Sequence, residues 1–274
     1  MTIELSFAKQ FEGEVHLAYQ QAGSKLKGTV RSKSGVKGSS TVFQKIGTGV
    51  ASGKQRHGLV PVMSLSHAPV ECTLQDYYAG EWVDALDELK ISHDERSVAA
   101  KAGAYALGRK TDELIIAALK TAPSTCDVGA YTTVLNKNMI LDAFSKMNLN
   151  SIPDDGQRFA IVGPLQWNAL LNIEEFSSSD YSGENLPFLQ GTESRKWLGI
   201  NWIMHTGLPL ATANRDCFIY HKTAIGHACG QDIKTDVTWH GDRAAHFVNN
   251  MMSQGAALID NAGVIRIKCK EAAA

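Results

Sequence analysis

Residues 77–119 read YYAGEWVDALDELKISHDERSVAAKAGAYALGRKTDELIIAAL, and the second half of this stretch decides the fold. From about Asp94 to Thr121 helix formers dominate, no proline intervenes, and Pro123 supplies a stop. Ser92 or His93 is expected to cap this helix, with Asp94 and Glu95 in its first turn, where carboxylates face the positive helix end. About 28 residues at ~1.5 Å each make a rod of roughly 42 Å, long for a globular helix. Gly103 and Gly108 weaken it, so something packed close by must hold it. The small residues around them, with Ala102, Gly103 and Ala106 as the expected packing positions, fit the near approach of another backbone.

Outward from the helix, charge segregates sharply. Glu71, Asp76, Glu81, Asp84, Asp87, Glu88, Asp94 and Glu95 face a single Lys90. Before them, from Val15 to Val70, there is no Asp or Glu, yet Lys25, Lys27, Arg31, Lys33, Lys37, Lys45, Lys54 and Arg56 are all present. Glycine recurs at 23, 28, 35, 38, 47, 49, 53 and 58. Such density disfavours helix, and like charges repel, so this is read as a long extended arm or hairpin with a strand at Thr41–Ile46 and no core of its own. The arm is a solvated loop, a nucleic-acid contact, or a surface that docks on the acidic segment of another copy. The third is favoured because the complementary patch lies in the same chain. On that reading Lys25, Lys27, Arg31, Lys33, Lys37, Lys54 and Arg56 meet Glu71, Asp76, Glu81, Asp84, Asp87 and Glu88 across a subunit boundary.

The remainder reads as mixed α/β. An amphipathic helix is expected at 4–21, where Phe7, Phe11, Val15 and Ala18 share a face. After the long helix come a helix at Asn136–Met147, a buried strand at Arg158–Val162 and a helix at Pro164–Ile173. A polar loop then runs from Phe176 to Lys196, followed by strands at Leu198–Met204 and Asp216–His221. The end reads as a hairpin, Ala256–Ile259 and Val264–Lys270 about the turn Asp260-Asn261-Ala262-Gly263.

Composition narrows the function. The 274 residues carry 27 basic and 28 acidic side chains, without the basic excess of a dedicated nucleic-acid binder. Cys72, Cys126, Cys217, Cys229 and Cys269 are odd in number and never spaced C-x-x-C, which suits free thiols in a reducing compartment. No secretory signal is visible, and apolar runs such as Leu114–Leu119 are far too short for a membrane span. The run Gly47–Gln55 fails as a phosphate loop: the glycine gap is too long, Gln55 replaces Ser/Thr, and Pro61 follows where a helix should begin. Cys217, His221, His227 and Cys229 could supply four zinc ligands where 225–229 turns helically. They match no compact zinc spacing, however, and the plainer reading is a core cysteine with two partly exposed histidines at a strand end. Asp94-Glu95 and Asp112-Glu113 read as solvated or interface faces of helices. No catalytic constellation stands out, and no catalytic residue, metal or cofactor is expected, although a triad built from distant residues would leave no mark of this kind in the sequence.

Two stretches then carry a resemblance. Residues 77–119, quoted above, and 239–268, WHGDRAAHFVNNMMSQGAALIDNAGVIRIK, resemble tailed-bacteriophage major capsid proteins with the Hong Kong 97-type fold. The order of elements matches over nearly the whole chain. The resemblance implies an α+β fold with an N-terminal arm at 1–24, an extended E-loop at 25–75, a P-domain with its spine helix at 76–124, a mixed α/β A-domain at 125–230, and returning P-domain strands at 231–274. It implies a shell subunit that assembles with itself in hexamers and pentamers, made in the host bacterial cytoplasm and ending in the virion. Portal and decoration proteins would be its neighbours, and it would enclose DNA without sequence-specific binding, away from any membrane. A helix so near the start leaves no room for a large scaffolding propeptide, which suggests a separate scaffolding protein or prior removal of such a segment. The lysine–asparagine cross-link of some members has no matching residues here. Alternatives are an encapsulin-type compartment of the same fold, or a metal-dependent enzyme using the Cys217–Cys229 cluster.

Overall fold

The computed structural model describes residues 21–271 except 89, 91–93, 178–193 and 212, so the helix expected at 4–21 falls outside the described residues save for Gln21. In chain order come β1 (Arg31–Ser34), β2 (Ser40–Ile46), β3 (His67–Thr73), β4 (Gln75–Asp84), α1 (Ala85–Glu88) and α2 (Glu95–Lys120). Then follow β5 (Asp127–Val128), α3 (Lys137–Leu149), β6 (Arg158–Val162), α4 (Pro164–Leu171), α5 (Glu174–Ser177), β7 (Ser194–Trp197), β8 (Ile200–Met204) and β9 (Leu210–Ala211). The chain ends with β10 (Asn214–His221), β11 (Ile225–His240), β12 (Ala245–Leu258) and β13 (Val264–Lys270).

Three sheets organise these elements. A four-stranded sheet has the order β1-β11-β12-β4, and a second runs β5-β13-β10-β6-β8-β7 with β9 on the flank of β10. The basic arm folds back as an isolated antiparallel pair, β2 with β3, from Ser40↔Thr73 to Ile46↔His67. The main core lies in the second sheet, where β6, β8, β10 and β13 pack with α3, α4 and the C-terminal half of α2. Ile140, Met147, Ile161, Trp202, Phe218 and Ile265 are wholly or almost wholly buried there, each burial stabilising by about 1.5–3 kcal/mol. The root of the β2–β3 pair has only a small cluster of its own, Phe43, Cys72, Ala228 and Ile259.

Local chemistry explains the helices. Asp94 is the N-cap of α2, its carboxylate accepting from the Ser97 amide at 3.3 Å; it replaces the expected Ser92 or His93, which lie outside the described residues. Asn136 caps α3 through the Met139 amide at 3.0 Å, and Pro164 opens α4, where a missing N–H costs nothing. The 26 residues of α2 span about 39 Å at the usual rise. Its N-terminal half is half-buried against β4, β11 and β12, and its C-terminal half enters the main core. One rod therefore joins both sheets.

Three expectations need correction. The final hairpin does not form: β12 pairs with β11 and β4, whereas β13 pairs with β10 and β5, so the turn at Asn261–Gly263 hands the chain from one sheet to the other. Residues 225–229 are the start of β11, not a helical turn, because each pairs across to β12. The Phe176–Lys196 stretch is not all polar loop. Phe176 is fully buried edge-on to Trp167 and Trp197, and Lys196 belongs to β7.

Candidate assembly surface

Beyond Ile46 and His67 one further bond, from the Gly47 amide to the Ser66 carbonyl at 2.8 Å, ends the pairing. Residues 47–66 run on with nearly every side chain exposed, including Lys54, Arg56, Leu59, Val60 and Val62. This projection is both apolar and basic, and clustered exposed apolar residues of this kind mark interaction sites. Its root is fixed differently. Asp112 on α2 is completely buried and accepts hydrogen bonds from Ser24 Oγ at 2.5 Å and Gln21 Nε2 at 2.5 Å. The amides of Lys25 and Leu26, each at 3.0 Å, and His205 Nε2 at 3.0 Å complete its shell. Burial pushes this carboxyl up, but the bonds from His205, Ser24, the Lys25 amide and Gln21 outweigh it and hold it below the usual carboxylate value. Sequence reading placed Asp112 on a solvated or interface face, and the structure overturns that. The missed signal was spacing: Gly108, Asp112, Ile115 and Leu119 share one helical face, and the other three are buried.

The predicted arm cations separate into two groups. Lys27 pairs with Asp232 at 2.6 Å, Lys33 donates to Thr41 Oγ1 at 2.7 Å, and Arg31 lies 5.7 Å from the Phe43 ring centre. Lys45 reaches Asp260 at 2.7 Å. Lys25 is placed through its backbone at Asp112, while Lys37, Lys54 and Arg56 are exposed. The ion pairs that Lys27 and Lys45 make therefore go to Asp232 and Asp260, residues that the charge pattern did not single out. The Lys27 hydrogen bond holds Asp232 below the usual carboxylate value.

Apart from Glu71, which lies on the arm's own β3, the acidic segment starts on β4, the edge of the four-stranded sheet opposite β1. Glu71 is exposed on β3, and Asp76, Glu81 and Asp84 are exposed along β4, whose outer edge is unpaired in that sheet. Asp87 pairs with Lys90 at 2.8 Å and Glu88 with Arg96 at 2.9 Å, both local contacts. At the end of the sheet a cleft of about 290 Å3 is lined by Trp82, Asp84, Asp87, Glu95, Arg243 and Ala245. Arg243 sits 4.5 Å over the Trp82 ring, and Phe247 supports the same ring at 4.5 Å. Three carboxylates around one cation leave the cleft acidic, and its wall is aromatic.

The small residues of α2 are explained by contacts within the chain. A Cβ on Gly103 would stand 2.1 Å from Asn250 Nδ2 and 3.3 Å from the Ala79 carbonyl. That space is taken by Asn250, which donates to the Ala79 carbonyl and accepts from Thr235 Oγ1, tying β12 to both β4 and β11. Ala102 and Ala106 flank this position and are half-buried. A Cβ on Gly108 would meet the Gly23 backbone at 2.6 Å, where the chain crosses the helix on its way to the arm.

Cys217 faces Cys269 at 3.9 Å, His221 bonds Asp155, and His227 bonds Gln254. Both histidines are buried rather than partly exposed, because each lies on a strand that packs into the sheets. Among the described residues no group of three or more His, Cys, Asp or Glu side chains is placed to hold a metal ion. No described helix is long and apolar enough to cross a membrane.

The family described as phage capsid protein matches residues 3–271. Among solved structures, the capsid of the Cyanophage P-SCSP1u is similar with a TM-score of 0.77 and 18% identity, over 97% of this chain and 94% of that one. A structure from Mycobacterium phage Che8 gives 0.75 and 17%, over 96% and 97%. The capsid of Ralstonia phage GP4 gives 0.75 and 12%, over 100% and 98%. These identities speak for the fold. No curated protein matches the chain.

Proposed function

The chain belongs to the phage capsid protein family, and from that premise we propose that it builds an icosahedral, DNA-filled tailed-phage head from hexamers and pentamers of itself. It is a major capsid protein that forms the phage head shell, and its α+β fold is of the Hong Kong 97 type. That family and fold imply a structural role in the virion. The observation that supports the assembly reading is the arm, an exposed apolar and basic projection on a root fixed by a buried carboxylate.

In this reading 1–24 is the N-terminal arm, 25–75 the E-loop and 76–124 the P-domain with its spine helix. Residues 125–230 are the A-domain and 231–274 the returning P-domain strands. Basic residues of the arm (Lys25, Lys27, Arg31, Lys33, Lys37, Lys54 and Arg56) meet Glu71, Asp76, Glu81, Asp84, Asp87 and Glu88 of a neighbouring copy. Lys54 and Arg56 suit the acidic aromatic cleft beside Trp82. The small residues Ala102, Gly103 and Ala106 keep the spine helix close to its sheet. Synthesis in the bacterial cytoplasm, a separate scaffolding protein, a portal, decoration proteins and enclosed DNA held without sequence readout complete the proposal.

Electron microscopy tests it directly, on the purified chain expressed alone and beside its phage's scaffolding protein. Closed shells with six-fold and five-fold clusters are expected. A chain that stays monomeric in both settings overturns the reading.

A further inference from the structure

A second cleft, of about 560 Å3, opens where the root of the E-loop meets the second sheet. Its polar lining comes from Lys27, Arg31, Ser32, Gln157, Lys222 and Thr223, with no carboxylate among the lining residues. The floor is rigid: the Lys222 amide donates to the Gln157 carbonyl at 3.0 Å, and His221 Nδ1 lies 2.8 Å from Thr223 Oγ1. Lys27 is already matched by Asp232, whereas Arg31 and Lys222 make no ion pair with any described residue. Two cations, two hydroxyls and a side-chain amide thus line an opening with no carboxylate to offset them, a chemistry that suits an oxyanion.

The cleft flanks β1, one edge of the four-stranded sheet, and the opposite edge is β4. β4 carries Asp76, Glu81 and Asp84 and no Lys or Arg, and all three are exposed. One sheet therefore ends in a basic cleft on one side and an acidic strand on the other. We infer that the cleft receives β4 carboxylates, Asp76 and Glu81 foremost, from a second copy of this chain. The inference rests on the capsid reading, because it takes copies to meet in a shell. Charge favours this occupant over nucleic acid. The chain has a net charge of −1, without the basic excess of a nucleic-acid binder, and β4 offers exposed carboxylates with no Lys or Arg in the strand. A contact between two different edges is heterologous, and repeated around an axis it closes a ring.

The test uses three variants of the full chain beside the wild type: Arg31→Glu/Lys222→Glu, Asp76→Lys/Glu81→Lys, and all four changes together. Each double variant is expected to remain folded by circular dichroism and to lose closed shells, and the quadruple variant to regain them. Mixing the two double variants is expected to restore even-numbered rings, since alternating copies then meet with opposite charges at every contact. Normal shells from Arg31→Glu/Lys222→Glu, or no recovery in either the quadruple variant or the mixture, overturn the inference. So does a variant that forms normal empty shells and loses only enclosed nucleic acid, which would mark a phosphate site. If the wild type itself forms no shells, the capsid reading falls together with this one; wild-type shells with an indifferent cleft sink the cleft alone.

Discussion

At the scale of single residues, Asp112 decides how the arm is rooted. Its oxygens take five donors from the arm's root and from His205, so nothing of similar size but a carboxylate satisfies them all. Asp112→Asn keeps the shape but turns an amide against those donors, and leaving buried donors unsatisfied costs about 1–3 kcal/mol. Chemical denaturation of the unassembled chain should show a loss of that order; one below about 1 kcal/mol would mean the shell rearranges freely. The pH dependence has two separate stages. His227 is buried with Nε2 against Gln254 Oε1 at 3.1 Å, and burial pushes its pKa down. The unfolded imidazole takes its proton near pH 6.5, before the folded one can. Stability should therefore begin to fall as pH drops below about 6.5, until the folded group protonates as well. Asp112 works at lower pH. Its contribution is whole above the free carboxylate value of about 3.9 and is lost as pH falls toward its depressed folded value. Thermal unfolding from pH 8 to 3 should show both declines, with His227→Gln removing the first and leaving the second. A His227→Gln profile that still falls between pH 6.5 and 5 would assign the first decline elsewhere.

At the scale of elements, α2 joins two sheets, and its two glycines mark two different contacts. At Gly103 the atom in the way of a Cβ is the far end of the Asn250 side chain; at Gly108 it is the Gly23 backbone. A side chain can turn aside, though here at the expense of two hydrogen bonds, but a backbone crossing cannot. Gly108→Ala should thus lower the melting temperature more than Gly103→Ala, despite the better helix propensity of alanine at both sites. Equal or raised melting temperatures would show that the crossing yields. The helix itself was legible in the sequence because its signals are local: propensity, an acidic start and Pro123. The same holds for β6, read with its bounds unchanged, and for α3 behind Asn136. At the end of the chain the strand at Val264–Lys270 was legible with its bounds unchanged, but its pairing was not. Asp260-Asn261-Ala262-Gly263 has good turn chemistry, yet β12 pairs with β11 and β4 and β13 with β10 and β5, none of them across that turn. The charge blocks were visible, but Asp232 and Asp260 as partners of Lys27 and Lys45 were not. Those pairs span 205 and 215 residues and leave no periodic trace.

At the scale of the whole molecule, the chain holds a well-packed core at one end and a projection at the other that cannot bury its own apolar surface. Leu59 and Val62 are 96% and 91% exposed with Val60 exposed between them, a cluster of the kind that marks an interaction site. Lys54 and Arg56 beside them pair with no described residue, so reversing their charge removes nothing from the folded subunit. Exposed ion pairs contribute only ~0–1 kcal/mol each, but in a shell the same pair recurs in every copy and sets register more than affinity. Lys54→Glu/Arg56→Glu should therefore leave the melting temperature of the free subunit unchanged while closed shells fail to form. Adding Asp84→Lys/Asp87→Lys should restore them in part, because the cleft beside Trp82 then offers the opposite charge. Salt should act in the same direction: contacts of this kind are screened beyond about 8 Å at physiological ionic strength, so assembly monitored by light scattering should slow as salt rises. Wild-type-like shells from the tip variant, with unaltered salt dependence, would leave the apolar residues of the tip as the sole adhesive and remove charge from the account of how copies find their register.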